Sequence, residues 1–123
     1  MRRIHILNDA CKNGDSKTVR EVLDDNIKPS ILDNRVLLTA IKYNNIKCAK
    51  LIIDHDNFVV TDSVKKGVII AAKSGNRKLL KNLLYIPGLK ISKEILNECL
   101  QSKCRDYFTE FTDPYSEERF ILE

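Results

Sequence analysis

Four cysteines and two histidines are the residues of this chain best suited to nucleophilic or metal chemistry, and their spacing supports neither. Cys11, Cys48, Cys99 and Cys104 include no Cys-x-x-Cys pair, and only His5 and His55 are on hand as nitrogen ligands, so no zinc site is expected. The two histidines stand far apart, each without a neighbouring nucleophile, and are expected at the surface or in cap regions rather than in a catalytic triad. Asp24-Asp25 and Asp54-x-Asp56 fall near the ends of the second helices, and turn hydrogen bonding accounts for them better than metal binding. The four glycines are isolated at positions 14, 67, 75 and 88, so no glycine-rich loop is available to cradle a phosphate. The expectation is a protein that is not an enzyme and takes no cofactor or metal. Cys11 and Cys48 fall on or beside apolar stripes and read as small core residues.

Charge is the remaining functional handle. The net charge of +4 conceals a division: residues 1–105 carry 20 Lys and Arg against 11 Asp and Glu, and residues 106–123 carry one Arg against six acids. The basic residues recur in register. Lys12, Lys42 and Lys73, with Lys103 as a candidate fourth, form one series; Lys17, Lys47 and Lys78 form a second, and Arg20, Lys50 and Lys81 a third. If the units that carry them stack about 10 Å apart, as packed helices do, the series become cationic rows. Neighbours in a row then lie near one Debye length apart, and salt screens most of their repulsion.

The elements that would position these rows repeat about every thirty residues. Ala10-Cys11-Lys12-Asn13-Gly14, Ala40-Ile41-Lys42-Tyr43-Asn44 and Ala71-Ala72-Lys73-Ser74-Gly75 each read as the end of one helix and a tight turn, closed by a residue that tolerates positive φ. After the turn, Val19, Val22 and Leu23 recur as Ala49, Ile52 and Ile53 and as Leu80, Leu83 and Leu84, the three-four spacing of one face of a second helix. Before it, Ile6, Leu7 and Ala10 recur as Leu37, Leu38 and Ile41 and as Val68, Ile69 and Ala72, with a one-residue shift in the first copy. Between copies, an apolar anchor leads to Ser30, Thr61 or Ser92, natural helix N-caps or turn residues. Units this short cannot bury their own apolar faces and must lean on neighbours. An apolar share of 43% with no Trp and eight Phe and Tyr implies a largely aliphatic core.

Asp9 to Asp15 with Val22-Leu23, and Ile70 to Asn76 with Leu83-Leu84, resemble the ankyrin repeat, whose Ala-Ala-x-x-Gly turn precedes a helix ending in leucines. The resemblance runs from about Ile4 to Leu100, with Thr39 to Ile53 the weaker middle copy. It implies an all-α, ankyrin-like solenoid of three to four helix-turn-helix repeats that does no chemistry and presents a concave partner-binding surface. In that family the two residues before the turn tend to face the groove, which carries the role of partner contact onto Lys12, Asn13, Lys42, Tyr43, Lys73 and Ser74. The chain departs from the pattern in two places. The Thr-Pro-Leu-His opening is replaced by Arg35-Val36-Leu37-Leu38 and Lys66-Gly67-Val68-Ile69, and the period of 31 implies hairpin fingers that are short or missing. Ser30–Asn34 and Thr61–Lys66 either form those fingers or lengthen the first helices.

The expected organisation is a repeat domain over 1–112, with repeats near 1–29, 30–60 and 61–91 and a capping unit at 92–112, followed by an acidic tail at 113–123. Ile95, Cys99 and Leu100 continue the stripe into the cap, where Tyr107, Phe108 and Phe111 read as an aromatic lid over the last apolar face. The Phe120-Ile121-Leu122 cluster admits three readings: a return onto the last repeat, contact with another molecule, or a cut from a longer chain. The leading functional expectation is a protein-interaction module whose basic groove favours an acidic protein partner. The rival is nucleic-acid or other polyanion binding by the basic repeat body, which the clustering of aromatics away from the basic rows and the acidic tail oppose. A monomer is expected, or a weak homo-oligomer sealed through the aromatic cap. Free thiols, no secretory apolar run and no long apolar segment point to a reducing cytosol or nucleus without a membrane. Fourteen Ile and ten Asn against five Ala suggest AT-rich coding, as in ankyrin-like chains of large DNA viruses and intracellular parasites, where the partner would be a host protein.

Overall fold

The computed structural model describes residues 2–25, 27–28, 31–105 and 121–122. Seven helices follow in order: α1 (Arg2–Asn13), α2 (Ser16–Leu23), α3 (Ile31–Lys42), α4 (Ile46–Ile53), α5 (Ser63–Ser74), α6 (Arg77–Leu84) and α7 (Lys93–Leu100). Two-residue strands β1 (Lys90–Ile91) and β2 (Ile121–Leu122) pair in parallel, Lys90 opposite Ile121 and Ile91 opposite Leu122. First helices α1, α3, α5 and α7 stack on one another, second helices α2, α4 and α6 stack beside them, and each of α1, α3 and α5 packs on the second helix that follows it. The all-α solenoid is therefore observed.

The turn chemistry is what the residue types demand. Gly14, Asn44 and Gly75 hold φ of 74°, 58° and 79°, the left-handed conformation that ends a first helix. The next residue then starts the second helix. Asp15 and Asn76 accept the Thr18 and Leu79 backbone N–H groups, each capping bond contributing about 1 kcal/mol. Asn45 occupies the same position, but its amide reaches back to donate to the carbonyls of Cys11 and Lys12, two acceptors left over at the end of α1. Similar bonds join other neighbours: Thr39 Oγ1 donates to Asn8 Oδ1 at 2.7 Å, and Asn76 Nδ2 donates to Asn44 Oδ1 at 3.4 Å.

Two questions left open by the sequence are settled by packing. The segments expected as fingers or helix extensions become helix over most of their length: residues 31–34 open α3 and residues 63–66 open α5, Thr61 and Asp62 precede the helix, and Ser30 lies outside the described residues, so each first helix of the three repeats is 12 residues long against 8 for its partner. Among the described residues the only strand pairing is β1 with β2, so hairpin fingers are missing from the 54–62 connection. The register of the first helices runs Leu7, Leu37, Val68 and Ala10, Ala40, Ala71, all buried. Ile6 is displaced from the core and 43% exposed, while Leu38 and Ile69 are only partly buried. Of the expected caps, Ser92 accepts the Ile95 N–H, whereas Thr61 takes a bond from Asn34.

The core is one continuous aliphatic seam from Ile4 to Cys104. Gly67 marks a close approach of α5 to α3, since a Cβ there would stand 2.6 Å from Ile41 Cδ1. Tyr107, Phe108 and Phe111, the expected lid, lie outside the described residues, as does Phe120. The backbone of Ile121–Leu122 returns to the connection between α6 and α7.

Candidate interaction face

Each first helix turns one side toward the second helices and the opposite side outward. Lys12, Asn13, Lys42, Tyr43, Lys73 and Ser74 sit at the outward C-terminal ends of α1, α3 and α5, or one residue beyond, and all six are exposed. The structure brings them together as a row that crosses three repeats. Lys12 and Tyr43 are in contact, the ammonium Nζ 5.7 Å from the ring centroid, a cation–π geometry that links the first two repeats. Ser74 is tied down: its hydroxyl donates to Ala71 O at 2.9 Å and lies 3.3 Å from Asn44 Oδ1. Lysines at these positions also complement the negative end of each helix dipole, an effect of a few tenths of a kcal/mol.

A second row was missed in the sequence. Arg35 on α3 and Lys66 on α5 are exposed and precede Lys42 and Lys73 by seven residues, two helical turns, which returns them to the same side. Their own interval of 31 was the available signal. His5 occupies the equivalent place on α1, exposed. Between the rows lie Asp9, Thr39 and Ile70, one from each repeat, with Thr39 and Ile70 partly buried. Among the described residues this side of α1, α3 and α5 thus presents Lys12, Lys42, Lys73, Arg35 and Lys66, with the acid Asp9 on the central line and Asp62, 3.9 Å from Lys65, one turn before Lys66 at the rim. The series Lys17, Lys47, Lys78 and Arg20, Lys50, Lys81 are exposed on the second helices, where Glu21, Asp24 and Asp54 interrupt the positive charge.

A family model described as ankyrin repeats (3 copies) matches residues 7–95, from the middle of α1 into α7. The chain belongs to the ankyrin-repeat family. No curated protein and no solved structure matches it. Ankyrin repeats are generally protein–protein interaction modules, and in this one no helix among the described residues is long and apolar enough to cross a membrane.

The residues with catalytic potential are built into the ankyrin scaffold. His55 accepts the Asn57 N–H on Nδ1 at 3.1 Å, which assigns the ring proton to Nε2, 3.0 Å from Leu23 O at the end of α2. It staples the second repeat to the first. His5 is exposed. Asp24 and Asp54 are the C-cap residues of α2 and α4. A cleft of about 350 Å³ opens where Lys50 of α4 and its C-cap Asp54 face Asn82 and Tyr85.

All four ankyrin cysteines are buried free thiols. Burial, reinforced by the adjoining Cys48 thiol, pushes Cys11 up to about 12 from an ordinary 9.0, and burial with the nearby Glu98 does the same for Cys99; burial also raises Cys48 and Cys104. Above pH 9 the unfolded chain releases these protons while the folded chain keeps them, so the unfolded state binds fewer protons and stability falls as pH rises. Each thiol contributes a slope of about 1.4 kcal/mol per pH unit between its unfolded and folded values. Urea melts at pH 8, 9.5 and 10.5 should show this decline, and a Cys11→Ala, Cys99→Ala double variant should flatten it. An unchanged slope in that variant would assign the alkaline loss to other groups.

Proposed function

We propose that this ankyrin-repeat chain is a non-enzymatic interaction module that holds an acidic protein partner on the outward side of its first helices. The observation that carries this reading is the excess of positive charge there among the described residues: five cations in two rows against Asp9 between them and Asp62 at the rim, on the surface that the stacking of α1, α3 and α5 makes continuous. Such a surface accelerates encounter with an acidic partner and repels a basic one. Lys12, Asn13, Lys42, Tyr43, Lys73 and Ser74 form one edge of the contact, with Arg35 and Lys66 on the other. The buried free thiols accord with a reducing compartment such as the cytosol. If the chain is viral or parasite-derived, the partner is a host protein there.

The test is affinity capture from cytosol with the wild type, a Lys12→Glu, Lys42→Glu, Lys73→Glu triple and a Lys17→Glu, Lys47→Glu, Lys78→Glu triple. A partner lost with the first and kept with the second is the expected result, its affinity reduced at least tenfold, about 1.4 kcal/mol or more. The exposed cations of the second helices favour polyanion binding as the second reading. Equal weakening by both triples, with a steep salt slope on heparin, would establish that reading instead.

A further inference from the structure

Building on that reading, we propose that the partner's docking element is an amphipathic acidic α-helix that lies across α3 and α5 in the stacking direction, between the two cationic rows. Three features carry this. The rows Lys42–Lys73 and Arg35–Lys66 are separated along the first helices by seven residues, about 10.5 Å at 1.5 Å per residue, and an α-helix with its side chains is about 10–12 Å wide. The floor between them is uncharged: Thr39 and Ile70 lie three residues before Lys42 and Lys73 and four after Arg35 and Lys66, partly buried and offering a methyl and a sec-butyl group. The neighbouring repeats are in tight contact, with Gly67 against Ile41 and Thr39 bonded to Asn8, so the cations of each row repeat at the usual helix spacing of about 10 Å.

A ligand helix running along the stack advances that distance in about seven residues, so one heptad corresponds to one repeat. Carboxylates seven apart on each edge then meet successive cations, while an apolar stripe between them rests on Thr39 and Ile70. An extended acidic strand contacts only one row at a time and leaves the other unused. Asp9 sets the polarity. It stands in the central line on α1, beside Lys12, and repels a carboxylate or a helix C-terminus, so the positive N-terminal end of the ligand helix points toward α1 and its negative end toward Lys73.

The test uses synthetic probes of about 18 residues, roughly 27 Å if helical. The first is a stapled helix with Glu flanking a Leu and Ala stripe on both edges in heptad register. The second has the same composition with the acids scrambled around the helix, and the third is an unstructured poly-glutamate. At physiological salt the first should bind about tenfold or more tighter than the others, and lose about tenfold on Arg35→Glu, Lys66→Glu and again on Lys42→Glu, Lys73→Glu. All substitutions are at exposed positions, and circular dichroism verifies that each variant remains folded. Equal binding of the three probes, binding insensitive to either row, or no binding of the stapled helix overturns the helical ligand. The acidic-partner reading is judged separately, by whether the captured partner is lost with the Lys12, Lys42, Lys73 triple.

Discussion

Replacing Gly67 by valine should destabilise the protein by about 3 kcal/mol, a large part of the 5–15 kcal/mol that holds a typical domain folded. Glycine inside a helix ordinarily costs about 1 kcal/mol relative to alanine, so propensity alone forecasts that alanine at this position would help. Packing reverses the sign. The Cβ of any other residue would meet Ile41 Cδ1 at 2.6 Å and Leu38 Cδ2 at 3.4 Å, and Ile41 is fully buried, with α3 and its own repeat holding it in place. Valine adds two further methyl groups to a space that does not hold the first carbon. Gly67→Ala should lose about 1 kcal/mol net, the propensity gain offsetting part of the overlap. Ile41→Val removes the very atom in conflict, so the Gly67→Ala, Ile41→Val pair should be more stable than the sum of the single changes by about 1 kcal/mol in a urea double-mutant cycle. A stabilising Gly67→Ala, or additive single effects, would show that the helices do not meet this closely.

Asn34→Ala should cost about 3 kcal/mol for two separable reasons. Asn34 is fully buried near the start of α3 with φ at 60°, a conformation that asparagine tolerates and alanine does not. Its Nδ2 also donates to Val59 O at 2.9 Å and Thr61 Oγ1 at 2.8 Å, joining α3 to the connection that leads into α5. Asn34→Gly keeps the backbone and loses the bonds, so it should cost about 1 kcal/mol less than alanine. Thr61→Val, which removes one acceptor without changing shape, should cost about 1 kcal/mol and little more when Asn34 is already absent. Thermal or urea unfolding of the four variants measures all of this. Equal losses for alanine and glycine would remove the backbone contribution. The Asn34 Oδ1 atom has no hydrogen-bond partner, which makes the amide's two donor bonds the whole return for burying it.

The fold was legible where local chemistry is restrictive. Few residues accept positive φ, so Gly14, Asn44 and Gly75 announce their turns, and Val19, Ile52 and Leu83 announce second helices by spacing alone. Ile6 misled for a physical reason. In later repeats its position is held by Val36 and Gly67, both buried at the contact with the preceding repeat, whereas Ile6 is exposed. Apolar character therefore could not separate the core side of α1 from its end face. The fate of the 61–66 segment depended on Asn34, whose partners lie 25 and 27 residues away, beyond any local pattern. In the candidate site, the Lys12, Lys42, Lys73 row was visible because it adjoins the turns. Arg35 and Lys66 sit two turns earlier and carry no such marker, and only the side shared by residues seven apart reveals them.

Asn45 and His55 both reach from the second repeat back to backbone oxygens at the helix ends of the first. The dependence is directional: the earlier unit supplies acceptors and the later one supplies the side chains that saturate them. During synthesis the first hairpin emerges with those oxygens open to water and is completed only when its successor arrives. Trimming from the front would leave an amide and an imidazole that solvent can hydrate, whereas truncation before Asn45 strips the leading hairpin of both its polar clasps and its apolar cover. Between the first two repeats assembly thus has a direction, whereas at the next junction Asn34 reaches forward to Thr61 and reverses it.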